Sequence, residues 1–309
     1  CALLVSLLAA SGIDARVALS APGYKGDTPY LPSTRFSHVI VQVPDPSGDV
    51  LLDPTANFST FPRLPEELRG TWYLPIAREG ALATALSRVP FTSSLPPLSV
   101  YLEVSFGDEG QAAASGSATL SGDYATALRS ALAPQNGKLK DSLAAGIVHS
   151  LLPGLRLAAY SARGLDGGAE NLDPVITFEG ALPSPTIQGD IVALSLPWAT
   201  RLPLAPEVLS GSTASAFAID YPEFAAPVRE TVVAGVPAGW NAKALPRNAE
   251  FSFNGAYARF SYAISGQSIV CERELYLPYL LIKSADRAAF QAFVDAVSAK
   301  GRELLLLRK

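Results

Sequence analysis

Methionine is absent from the 309 residues, and cysteine and histidine occur only twice each. Two cysteines, Cys1 and Cys271, are too few for a disulfide framework. Two histidines far apart in sequence, His38 and His149, make no metal-ligand cluster. Apolar runs stop short of the roughly eighteen residues a membrane-spanning helix needs, so no transmembrane segment is expected. No basic stretch precedes the apolar residues 2–10, so they make a poor signal peptide. Lysine and arginine form no run, and the net charge is −4, which leaves no electrostatic footprint for nucleic acid or an anionic membrane. There is no glycine-rich phosphate loop, no Gly-x-Ser-x-Gly elbow and no zinc signature, so no cofactor or metal is expected. The missing methionine, with an apolar helix starting at residue 1, predicts a piece of a longer chain.

What is present describes a globular protein: 49% hydrophobic and 17% charged residues are enough for a packed core and argue against disorder. Residues 2–10 read as a compact apolar helix stopped by Ser11-Gly12, and 13–20 as a strand. A hairpin is expected over 36–53, turning through Pro44-Asp45-Pro46-Ser47-Gly48. Prolines 90, 96 and 97 punctuate a polar stretch that marks a boundary. Beyond it, 98–106 and 111–120 pair as strands, 124–133 and 138–152 read as helices, and strands return at 155–162, 175–179 and 187–196. The last hundred residues read as an antiparallel meander, with Asn254-Gly255 as a strong two-residue turn and 285–300 as an amphipathic helix. This pattern predicts an α+β protein of three parts, 1–85, 86–200 and 201–309.

Chemistry concentrates in the hairpin. A turn centred between Asp45 and Pro46 places His38 opposite Asp53. A turn centred one residue later pairs Asp53 with Ile40 and leaves His38 one diagonal step away. Both registers put the two side chains on one face, within reach of an imidazole–carboxylate hydrogen bond. Such a bond would fix the tautomer of a general base serving a thiol. Spacing alone favours the plainer reading, an edge histidine and a turn-forming aspartate before Pro54. His149 reads as an ordinary helix residue and Cys271 as a small core residue. The acidic pairs Glu66-Glu67 and Asp108-Glu109 read as solvated turns, and Asp220-Tyr221-Pro222-Glu223 as sheet packing or the wall of a groove.

Four motifs in order shift the balance. Ala2-Leu3-Leu4-Val5-Ser6-Leu7-Leu8, Gly12-Ile13-Asp14-Ala15-Arg16-Val17, Phe36-Ser37-His38-Val39-Ile40-Val41 and Leu52-Asp53-Pro54-Thr55-Ala56 together resemble the second half of a transglutaminase-like core, in the papain-related superfamily. Leu64-Pro65-Glu66-Glu67-Leu68-Arg69-Gly70 resembles a bacterial envelope subgroup in which β-rich domains flank that core. The resemblance implies a helix and antiparallel sheet in 1–85, with His38 as general base and Asp53 as its orienting carboxylate. It implies a cysteine nucleophile attacking a peptide or protein amide, for hydrolysis or acyl transfer, in an extracytoplasmic bacterial setting. The family pattern sets that cysteine three residues upstream of Cys1, so this chain is expected to be inactive by itself. Making Cys1 the nucleophile requires deleting three residues. A non-catalytic binding or scaffold protein of the cell envelope, its β-domains holding the partner, is the other reading.

Overall fold

The computed structural model describes residues 1–27, 33–57, 61, 63–76, 85–90, 98–107, 111–132, 137–165, 173–199, 216–219 and 227–309. Strand accounts for 45% and helix for 21%, which overturns the α+β expectation and its transglutaminase-like core. The fold is β-rich. The physical reason lies in α1, Ala2–Ala10: it forms where expected yet buries none of its side chains, so no helix-on-sheet core develops there. Leu3 remains 74% and Leu7 57% exposed.

After α1 comes a five-stranded antiparallel sheet, ordered β3-β2-β1-β4-β5. Its strands are β1 (Arg16–Ser20), β2 (His38–Val43), β3 (Val50–Leu52), β4 (Trp72–Pro75) and β5 (Ser87–Arg88). Gly12, with φ of 76°, closes α1 as expected of a glycine past a helix end. The sheet core is small: Ala18, Ile40, Leu51, Leu68, Tyr73 and Val89, with Leu64 packed against it.

The larger assembly is an eight-stranded sheet built from β6 (Leu98–Phe106), β7 (Ala112–Leu120), β8 (Arg156–Arg163), β9 (Val175–Ala181), β13 (Val228–Gly235), β15 (Ala249–Phe253), β16 (Ala256–Ser265) and β17 (Ser268–Tyr276). Its order is β15-β16-β17-β13-β6-β7-β9-β8, antiparallel throughout except where β13 runs parallel to β6. Strands on both sides of residue 200 therefore share one sheet. Helices α2 (Gly122–Leu132) and α3 (Gly137–Leu151) lie between β7 and β8 in sequence. A four-stranded sheet joins β10 (Thr186–Gln188), β11 (Ile191–Ser195), β14 (Asn241–Ala244) and β19 (Leu304–Arg308), and a ribbon pairs β12 (Ala216–Ile219) with β18 (Leu280–Lys283). Helix α4, Arg287–Gly301, turns Phe290, Phe293, Val294 and Val297 inward, the face its periodicity predicts. Asn254, φ 44°, and Gly255, φ 86°, make the left-handed two-residue turn expected between β15 and β16.

Candidate functional site

The β2–β3 hairpin pairs Val41 with Leu52 and Gln42 with Leu51, the later of the two registers the sequence allowed. Continued by one pair, it sets Asp53 opposite Ile40 and His38 one diagonal step away. That step is bridged: His38 Nε2 lies 2.8 Å from Asp53 Oδ2. The His38 side chain is 30% exposed and that of Asp53 only 4%.

Asp53 is also the turn former that its place before Pro54 suggested. Its Oδ1 accepts from the Thr55 backbone N–H at 2.9 Å and the Thr55 hydroxyl at 2.6 Å, and its carbonyl accepts from the Ala56 N–H at 3.2 Å. The plain and the functional readings are thus met by one carboxylate, one oxygen for the turn and the other for the histidine. Burial pushes the Asp53 carboxyl up, but the two Thr55 bonds and the neighbouring His38 outweigh it and hold the group below its usual range. An ionised Asp53 can only accept, so Nε2 carries the imidazole proton and Nδ1 is left as the basic nitrogen. Thr55 was not singled out in the sequence, although Asp-x-Thr spacing is the ordinary signature of such a side-chain turn.

Cys1 caps the amino-terminal end of α1, and its Sγ donates to the Val39 carbonyl at 3.1 Å. The thiol therefore meets the strand at the residue after His38. The bond is to the backbone carbonyl, and among the described residues no hydrogen bond joins this Sγ to the imidazole. Across the sheet on the other side, β1 pairs Ser20 with His38, placing Ser20 on the histidine's face, and β4 pairs Tyr73 with Ser20. Ser20 is fully buried and its hydroxyl has no hydrogen-bond partner among the described residues. A second polar group lies further along this face: Asp49 accepts from Gln42 and, at 2.7 Å, from the Tyr73 hydroxyl. Burial and the Asp49 bond push the Tyr73 phenol up to about 12.

The remaining candidates lie elsewhere. His149 sits exposed on α3. Cys271 is fully buried on β17 between Val232 and Tyr262, and burial pushes its thiol up to about 12. Glu67 is exposed in a short 3-10 turn, Glu66–Leu68. Asp108-Glu109 and 220–223 lie outside the described residues. Among the described residues no group of three or more His, Cys, Asp or Glu could hold a metal, and no helix is long and apolar enough to cross a membrane.

No protein-family model matches the chain, and no curated protein matches it. A solved structure from Parabacteroides distasonis, whose description proposes a protease, is similar with a TM-score of 0.46 and 13% identity. The likeness covers 99% of this chain, which spans 42% of the other's length.

Proposed function

We propose that the His38–Asp53 pair serves a cysteine nucleophile in acyl transfer from a peptide or protein amide. The observation that carries this reading is the 2.8 Å bond from His38 Nε2 to a carboxylate already fixed by Thr55. It orients the ring, sets the tautomer and would steady the imidazolium. The thiol proton passes to Nδ1 and the thiolate adds to the amide carbonyl. Collapse of the adduct expels the amine, which takes the proton from His38, and leaves a thioester. Water or a second amine, deprotonated by His38, then releases the acyl group and restores the thiol. In this chain Cys1, at the start of α1, is the thiol bonded to the His38 strand through the Val39 carbonyl, and a helix start favours thiolate. An extracytoplasmic bacterial setting and a cell-envelope partner for the β-rich remainder follow from the motif resemblance alone.

One observation favours a second reading. The Cys1 Sγ–H is given to the Val39 carbonyl, not to the imidazole, as in a site kept for its fold while the β-rich remainder binds a partner. Alkylation by iodoacetamide across pH, with His38→Ala beside the wild type, separates the two. The enzymatic reading predicts a Cys1 that reacts below the ordinary thiol range and slows about tenfold or more without His38. Equal rates in both proteins, with ordinary pH dependence, would sink Cys1 as the nucleophile. Cys271 should stay unlabelled while the protein is folded.

A further inference from the structure

A cavity of about 640 Å³ opens in the large core, far along the chain from His38. The α3–β8 turn, the β9–β10 connection, the end of β11 and the last turn of α4 form its walls. Leucines and prolines are the commonest lining residues, Leu152, Leu182, Pro183, Pro185 and Pro197 among them. Its volume falls in the range of sites for small ligands, and such sites are apolar with a few placed polar groups.

Among the described residues the charged lining groups are Arg273 and Arg302, with no carboxylate side chain beside them. Arg273 is 7% exposed, bound to Glu230 and held 5.0 Å over the Trp198 ring. Trp198 is 9% exposed, and its Nε1–H has no hydrogen-bond partner among the described residues. A buried donor left in that state costs about 1–3 kcal/mol, so something should satisfy it.

Gly301 supplies the second observation. It ends α4 without the left-handed backbone that would require glycine, and glycine is a poor helix residue. A Cβ placed there would stand 3.7 Å from Arg273 Nη1 and 3.9 Å from Trp198 Cδ1. The glycine keeps open the space in front of the guanidinium and the donor edge of the indole. Its use is room.

We propose that this cavity binds a small carboxylate with an apolar body. The leucines and prolines take the body, and the carboxylate turns towards Arg302 and the indole N–H. A free fatty acid and the carboxyl terminus of an apolar peptide share that chemistry.

Octanoate, N-acetyl-L-leucine and their two uncharged amides are the probes, titrated while the indole N–H signals are followed by ¹⁵N-edited NMR. Three tryptophans give three such signals, and Trp198→Phe assigns the one that matters. Saturable movement of the Trp198 signal with a carboxylate is expected, weakened about tenfold by Arg302→Gln. Gly301→Leu should abolish it while the rest of the spectrum keeps its folded dispersion. Movement with octanoate alone assigns the site to fatty acids, and movement with N-acetyl-L-leucine alone assigns it to peptide termini. No saturable movement below about 10 mM, equal binding of the amides, or binding unchanged in both variants would overturn the proposal.

Discussion

Among the described residues, six buried apolar residues make the core under the five-stranded sheet, whereas forty pack together between β6 and β19. Polar groups are used differently in the two places. The small sheet carries its histidine, aspartates and Tyr73 on the face that also holds Ala18 and Ile40, so hydrogen bonds there share the work of a thin core. In the large region the pair Arg273–Glu230 is buried, with side chains 7% and 2% exposed. Local opening follows the density of buried apolar contacts, so the sheet bearing His38 should open at lower free energy than the sheet bearing Arg273.

The largest effect should come from breaking the buried pair. Glu230→Ala leaves a buried guanidinium without its carboxylate and should cost about 3–5 kcal/mol in urea unfolding. Replacing both partners by Leu and Met should recover most of that loss, because the cost lies in the uncompensated charge. A loss under about 1 kcal/mol for Glu230→Ala would mean the pair is far wetter than its burial indicates.

Core truncations sharpen the comparison further. Phe290→Ala in α4 should cost about 3–5 kcal/mol and Ile40→Ala in β2 about 2–5 kcal/mol. Their reach should differ. Amide exchange should speed up over β1–β4 for Ile40→Ala and over α4 and β15–β17 for Phe290→Ala. If either substitution lowers protection uniformly along the chain, the two cores unfold as one unit and the contrast fails.

These two regions also differ in how far the sequence revealed them. Odd-numbered symmetry of the hairpin put His38 and Asp53 on one face whichever turn formed, so their meeting was legible while the register was not. The helix at 2–10 was readable from Gly12, but nothing in its apolar run says which face will be covered, and none is buried. In the large region the β15–β17 meander followed from Asn254-Gly255 and Gly266, all with positive φ. Strand β13 escaped, although Val228, Glu230, Val232 and Ala234 alternate inward, because one inward residue is a glutamate whose partner, Arg273, is forty-three residues away. The expected strand over 187–196 is two strands, folded back at Gly189, φ 61°, an isolated glycine that read as part of the run. Long-range pairing, invisible to local periodicity, accounts for the first miss, a local turn at one glycine for the second, and the unburied helix α1 for the overturned fold class.

A smaller effect tests the polar bonding of the small sheet. Asp53 is held below its usual range in the folded state, so its contribution is present above the unfolded value near 4. It is lost as pH falls through the lowered folded value. Asp53→Asn should therefore cost about 1.5 kcal/mol at neutral pH, and the two proteins should converge in acid. A gap that stays constant down to about pH 2 would show that the loss is steric and that the carboxylate charge holds nothing.

The smallest effect belongs to the open face of the large sheet. Arg229 Nε donates to Glu274 Oε2 at 3.0 Å, yet the arginine side chain is 62% exposed. Glu274 also accepts from the Tyr257 hydroxyl at 2.6 Å and has Arg259 within 3.6 Å. Removing one cation from a carboxylate with two other partners, in water, forfeits little. Arg229→Gln should cost no more than about 0.5 kcal/mol, and what it costs should vanish in about 1 M salt. A salt-independent loss above about 1.5 kcal/mol would show that this ladder is a structural element on a par with the buried Arg273–Glu230 pair, and the contrast between buried and open charge would have to be redrawn.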